Sequence, residues 1–225
     1  MSKTWRLWSH NLHYRKENRR PALQDALNHQ ADVVVWIESR PEDAEILSRH
    51  WPFGAGHNDA PGGPYGLRIA SRFPILEEKT LLSENGEPAV RVCLELPDGR
   101  VDLTGLHLHP TLPHAGWRQV IRSFGIRRRQ ILHLREQETA GSALQIYVGD
   151  FNTVPFWLGD LRRFQDFRDE VAAHQNAEAT YFYGLPLRID HLLCRGRASL
   201  SAKVVRTLYS DHHALLAEWA LGESG

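Results

Sequence analysis

Apolar residues recur along this chain in short runs, many of them alternating or β-branched, separated by segments rich in Gly, Pro and polar residues. Trp5 to Leu12 alternates and predicts a first strand. Pro21 then opens a helical segment with Leu23, Ala26 and Leu27 at helical spacing. Asp32 to Ile37 is continuous, β-branched and apolar, the strongest strand signal in the chain, and it terminates at Glu38. Pro41 to His50 predicts a short helix, residues 51–64 a Gly- and Pro-rich loop, and residues 66–75 a strand leading into a turn at Pro74. Ala89 to Leu96 and Arg100 to Leu108 alternate on either side of Pro97-Asp98-Gly99, as the arms of a hairpin do. Gly116 to Glu138 has the spacing of one long amphipathic helix. Leu144 to Val148 predicts a buried strand that stops at Gly149, where Asp150 and Asn152 follow. A short helix over Phe156 to Phe164, an irregular stretch over 165–188, and strands over Leu187 to Cys194, Val204 to Leu208 and Ala214 to Leu221 complete the pattern. Asp190 and His191 fall in the middle of the first of those strands, an unusual place for two adjacent polar residues.

No linker-like tract divides the 225 residues, so residues 1–225 are read as a single domain. Hydrophobic residues make up 42%, enough for a sizeable core. The 27 basic and 27 acidic residues cancel, which excludes a global nucleic-acid footprint and leaves only local patches, such as Arg15 to Arg20 or the basic 118–135 helix. Cys93 and Cys194 sit in apolar runs and favour a reducing compartment. The N-terminus has no signal-like apolar segment, and no stretch approaches the roughly 18 apolar residues of a spanning helix. A cytoplasmic monomer with no membrane anchor and no implied protein partner is expected.

Polar groups recur where apolar strands end: Asn11, Glu38, His107, Asp150 with Asn152, and Asp211 with His212, with Asp190 joining from its own strand. In α/β proteins strand ends open onto the crevice where ligands bind. Carboxylates with Asn oxygens suit a hard cation such as Mg²⁺ or Mn²⁺. Two other His patterns fail on context. His107-Leu108-His109 matches the first half of a HxHxDH zinc motif, but Pro110, Thr111 and Leu112 follow, so the Asp-His half is absent. Asp211-His212-His213 matches a DHH phosphoesterase motif, but that family needs further Asp pairs and a substantial domain after it, whereas only a dozen residues follow in this sequence, so the match is not expected to hold.

Asn11 after the first strand, DVVVWIES, GLHLHP, VGDFNT, RIDHLL and SDHHALLAEW stand in the order seen in the endonuclease/exonuclease/phosphatase superfamily, and from about residue 5 to 220 the chain resembles it. The resemblance implies a deoxyribonuclease-I-like α/β (α+β) fold: a four-layer sandwich of two mixed β-sheets flanked by helices. It implies a Mg²⁺-dependent (or Mn²⁺-dependent) phosphoesterase site on one edge. Glu38 would be the principal metal ligand, with Asn11 and Asp211 assisting. Asp150 would orient the attacking water or hold a second metal, and Asn152 would donate to the phosphate. His212 would face the scissile phosphate with Asp190 as its partner, and His107 would be a second phosphate-facing group. No carboxylate is evident in the sequence as a partner for His107. Nucleic acid is a candidate substrate, a small or lipid-derived phosphate ester the alternative. An inactive binding module of the same fold is the remaining reading, against which stands the completeness of the residue set.

Overall fold

Alternation along each strand has a spatial counterpart: one row of side chains enters a core shared by two sheets, and the other row lies under helices. The computed structural model describes residues 4–58, 66–83, 86–110, 117–138, 142, 144–153, 161–174, 179–183 and 185–221. The first sheet holds β1 (Thr4–Asn11), β2 (Val33–Ile37), β3 (Phe53–His57), β4 (Leu67–Ser71), β13 (Ser201–Val205) and β14 (Ala214–Ala220), in the order β13-β14-β1-β2-β4-β3. The second holds β5 (Ile75–Leu82), β6 (Pro88–Leu96), β7 (Gly99–His107), β8 (Leu144–Asp150), β9 (Arg168–Asp169) and β12 (Asp190–Gly196), in the order β5-β6-β7-β8-β12-β9. Both sheets are mixed, with β1–β2 and β7–β8 the parallel pairs. A small hairpin, β10 (Tyr181–Tyr183) and β11 (Leu185–Leu187), lies apart from both.

Between the sheets pack Trp5, Leu7, Val33, Val35, Ile37, Val101, Leu103, Leu144, Ile146, Val148, Leu192 and Trp219, among others. On the far side of the first sheet, Trp8, Val34 and Trp36 pack with Ala22, Ala26 and Leu47 from α1 (Arg19–Asn28) and α2 (Asp43–Ser48). On the far side of the second, Leu106, Tyr147 and Leu193 pack with Ile131 and Leu134 from α3 (Trp117–Glu136). This is the expected four-layer sandwich. Among the described residues no helix is long and apolar enough to cross a membrane. Cys93 and Cys194 are both unpaired thiols.

Several segments depart from the pattern. The expected loop at 51–64 contains β3, an edge strand whose Gly54 and Gly56 hide its alternation; residues 59–65 lie outside the described set. β5 has the largely exposed sequence ILEEKTLL, so it carries little apolar signal. The stretch 165–188 is not irregular: it holds β9, the short helix α4 (Glu170–His174), β10 and β11. Of the helix expected over Phe156 to Phe164, residues 156–160 lie outside the described set and Leu161–Phe164 form a 3-10 turn. Most consequentially, β12 begins at Asp190, so this carboxylate stands at a strand edge rather than mid-strand.

Gly149 does not end its strand, as β8 runs on to Asp150. Its φ is +142°, and a Cβ there would come within 2.2 Å of the Leu106 carbonyl oxygen on the neighbouring strand. Both backbone conformation and close approach demand glycine. Gly149→Ala should therefore cost roughly 2–4 kcal/mol of stability in urea unfolding. A loss below about 1 kcal/mol would show that the two strands part without penalty.

Candidate active site

Period-two alternation brings four of the polar residues to one place. Asn11 continues the inward row Trp5, Leu7; His107 continues Val101, Leu103; Asp150 continues Leu144, Ile146, Val148; and Asp190 begins the row Leu192, Cys194. His107, Asp150 and Asp190 occupy one rung of the second sheet, since His107 is in register with Asp150 and Asp150 with Asp190. Glu38 is an exception. Following Ile37, strict alternation would send it toward the helices beside Trp36, but its backbone is left-handed, with φ +56°. That turn brings its carboxylate back to the inner seam. His212 also reaches the seam from outside a named strand, just before β14, where it forms an isolated bridge with Tyr181.

The centre of the cluster is the Asn11 side-chain amide. Its Nδ2 donates to Glu38 Oε1 and to Asp150 Oδ2, each at 3.1 Å, and its Oδ1 accepts the His13 backbone N–H at 2.9 Å. Asn11 thus presents nitrogen, not oxygen, to the carboxylates. Direct metal ligation through its oxygen would require turning the amide over and giving up these bonds. His107 Nε2 lies 3.9 Å from Glu38 Oε1 and 3.7 Å from Asp150 Oδ2. Two carboxylates therefore face an imidazole for which the sequence offered none, though beyond hydrogen-bond length. His212 Nδ1 pairs with Asp190 Oδ2 at 2.8 Å, and its Nε2 lies 3.8 Å from Asp150 Oδ2. The Asp190 backbone N–H is held by the Thr180 hydroxyl. Asp150 Oδ1 accepts the Asn152 backbone N–H at 2.8 Å, and Asn152, itself left-handed at φ +49°, donates its amide to the Leu108 carbonyl. Asp211 stands at the rim, where its Oδ1 pairs with His13 Nδ1 at 3.0 Å.

Burial dominates the electrostatics. It pushes Glu38 up to about 7, against the Asn11 hydrogen bond, which lowers it. Burial, with Asp190 beside it, raises Asp150 well above the usual carboxylate range. Burial would lower His212, but the charge and hydrogen bond of Asp190 prevail and raise it to about 10, so its imidazole is cationic at neutral pH. Burial, reinforced by His212, lowers His107 to about 4 and keeps it neutral. Buried carboxylates driven toward their neutral form by desolvation fit a cation, whose charge would restore them. The Asp150, Asp190 and His212 ligand atoms also lie within 4.8 Å of one another. That trio contains an imidazole already committed through Nδ1 to Asp190, so the oxygens of Glu38 and Asp150 fit a hard cation better.

Two neighbours have places that the sequence did not assign. His10 is buried behind the site, and its Nε2–H donates to the His212 carbonyl at 3.2 Å. His191, one residue after Asp190 and so on the opposite face, has Asp169 at Nδ1 and the Thr153 carbonyl at Nε2. Only the parity of position along each strand could have placed them.

Burial lowers His10 to about 4 from 6.5. In the unfolded chain it takes a proton near 6.5, so its contribution to stability is complete above that pH and is lost as pH falls toward 4. The limit is roughly 3 kcal/mol. His10→Phe leaves the His212 carbonyl bonded to the Thr207 hydroxyl. Between pH 7.5 and 5 the metal-free variant should lose less unfolding free energy than the parent, by about 1 kcal/mol or more. Equal losses would remove His10 as the source.

The sequence pattern that defines the Endonuclease/Exonuclease/phosphatase family matches residues 4–212. No curated protein sequence matches the chain. Among solved structures, a humanized D. rerio TDP2 carrying 14 mutations superposes with a TM-score of 0.76 at 15% identity, covering 96% of this chain and 98% of that one. A 3′ phosphatase, NExo, from Neisseria, bound to a product DNA hairpin, superposes at 0.75 with 16% identity over 96% and 100% of the two chains. SmcL follows at 0.71 and 14%, covering 97% and 99%. At these identities the likeness establishes a shared deoxyribonuclease-I-like fold. With the family pattern extending over nearly all of it, the chain belongs to the Endonuclease/Exonuclease/phosphatase family, whose members are metal-dependent phosphoester hydrolases.

Proposed function

We propose that this protein hydrolyses a phosphodiester, in the manner of a nuclease, by metal-assisted attack of water, with Mg²⁺ or Mn²⁺ as the ion. The observation that carries this reading is the Asn11 amide joining Glu38 and Asp150, with the Asp190–His212 pair beside them. Glu38 and Asp150 would hold the ion through carboxylate oxygens, with Asn11 fixing their spacing and Asp211 at the rim. Bound there, a divalent cation supplies positive charge against the charge that builds on phosphate oxygens in the transition state.

The remaining work falls to the chain's own groups. His212, held cationic by Asp190, points Nε2 into the cluster and donates to a phosphate oxygen. Asp150, returned to its ionised form by a cation beside it, would also orient or deprotonate the attacking water. His107 stays neutral and serves as a hydrogen-bonding partner rather than a second cation. Asn152, tied through its amide to the Leu108 carbonyl, sits where its side chain can meet a phosphate only at the cluster's edge.

Nucleic acid is the favoured substrate class, because D. rerio TDP2 has been solved with a single-strand DNA product and NExo with a product DNA hairpin. The test is hydrolysis of bis-nitrophenyl phosphate and of single-stranded, duplex and abasic DNA, RNA, phosphoinositides and small phosphodiesters, with Mg²⁺ and with Mn²⁺. Turnover should vanish with chelator. Glu38→Ala and His212→Ala should each lower kcat by on the order of 10²–10³ or more while remaining folded by circular dichroism. A folded variant that keeps most of its turnover would refute the site, and hydrolysis of phosphoinositides alone would refute the nucleic-acid reading.

A further inference from the structure

Glu38 reaches the site only because its backbone is left-handed, a conformation that side-chain-bearing residues adopt at a cost. Something must hold it there. The first turn of α1 supplies Arg19, whose side chain is nearly inaccessible and whose guanidinium is shared among three acceptors. Its Nη2 donates to the Glu38 carbonyl oxygen at 2.9 Å, and its Nη1 donates to the Arg15 carbonyl. Its Nε faces both oxygens of Asp43, at 3.4 and 3.3 Å. Asp43, fully buried at the start of α2, also accepts the Arg40 backbone N–H at 2.6 Å. The opposite side of the turn is closed by Gly66, whose carbonyl accepts the Ser39 N–H at 2.9 Å. A Cβ on Gly66 would fall 1.9 Å from the Ser39 carbonyl oxygen.

A buried Arg–Asp pair is a poor stabiliser by itself, since desolvation offsets most of the attraction. Here the pair does more than neutralise itself. One carboxylate fixes one guanidinium, and the planar fork of that guanidinium fixes the carbonyl behind Glu38. We propose that Arg19 and Asp43 are positioning residues: they lock the left-handed turn that aims the Glu38 carboxylate into the cluster, and so set the affinity of the site for its divalent cation. This rests on the reading of Glu38 as a metal ligand, and it goes further by assigning a role to two residues distant from the substrate.

The experiment compares Arg19→Lys, Arg19→Met, and Arg19→Met combined with Asp43→Leu, which removes both charges and leaves none buried alone. Mn²⁺ binding is measured directly by calorimetry on the full chain, with kcat and KM for a phosphodiester alongside. Mn²⁺ affinity should fall about 10- to 100-fold in the double variant, as it does when partners of metal ligands are removed. kcat at limiting Mn²⁺ should fall in parallel while KM for the phosphodiester changes less than about two-fold. Arg19→Lys should recover only part, because a compact ammonium cannot serve three acceptors in a plane. A folded double variant with parental Mn²⁺ affinity would overturn the proposal, leaving the pair purely structural.

The same variants are then made in a Glu38→Gly background. Glycine adopts a φ of +56° without strain, so loss of Arg19 should destabilise that background less than the parent in urea. Equal destabilisation in both backgrounds would overturn the brace. This comparison needs no metal, so if the parent itself fails to bind Mn²⁺, the metal reading of Glu38 falls while the brace is still decided.

Discussion

One amide ties the two sheets of this molecule together at its candidate active site. Asn11 belongs to the first sheet, Asp150 to the second, and Glu38 follows the strand beside Asn11; the Asn11 Nδ2 hydrogens join both carboxylates at 3.1 Å. Below this seam the sheets meet through apolar side chains, aliphatic apart from Trp5 and Trp219, whose hydrophobic contacts are non-directional. A hydrogen bond has direction. By fixing Glu38 and Asp150 to one donor group, Asn11 converts approximate packing into a defined separation between two oxygens. His107, Asp190 and His212 are arranged around that separation.

Such an arrangement works against stability, and the surrounding structure must hold it in place. Two desolvated carboxylates face each other across Asn11, and His13, Glu38 and Asn152 all have positive φ at the same edge. Each such residue costs of order 1–3 kcal/mol unless neighbours compensate. The compensation can be traced atom by atom. Asn11 Oδ1 takes the His13 N–H, Arg19 takes the Glu38 carbonyl, and Asp150 Oδ1 takes the Asn152 N–H. Site residues thus brace one another's backbones, which makes the edge rigid before any ligand arrives. Preorganised donors of this sort lower a barrier without reorganising during the reaction.

What the sequence could reveal follows from the same geometry. Asn11, His107 and Asp150 are inward positions that continue apolar rows, so a period-two reading that finds β1, β7 and β8 also finds them. Asp190 reads as mid-strand from the sequence because the apolar Leu187 and Ile189 precede it, whereas Leu187 closes the separate hairpin and β12 begins at Asp190. Glu38 and His212 obey no periodicity; only their positions at the ends of strong apolar signals made them visible. Arg19 and Asp43 were invisible as site elements, because an Arg on a helix and an Asp at a helix start are ordinary surface features. Their meaning lies in burial and in a carbonyl 19 residues on in sequence but only 2.9 Å away in space, and no local pattern encodes that. β3 and β5 were missed for a simpler reason: one is an edge strand with two glycines, and the other exposes most of its length.

The neutral net charge also gains meaning from where the charges go. The arginines of α3 give the sequence its most basic stretch, yet part of that charge is spent inside the protein. Arg127 is buried against the His109 carbonyl, and Arg135 pairs with Glu138 and Asp166. Arg195 from β12 joins the same acidic pair. Arg118, Arg122, Arg128 and Arg129 stay exposed on the same helix, so only part of its charge is withdrawn from counterion release. On the proposed function, the sheet edge would add charge of its own. There the charge and hydrogen bond of Asp190 favour a cationic His212, and Glu38 and Asp150 would bring in a second, divalent charge. Attraction for phosphate at that edge would then come with assembly of the site itself, which would tie substrate binding to the proposed chemistry.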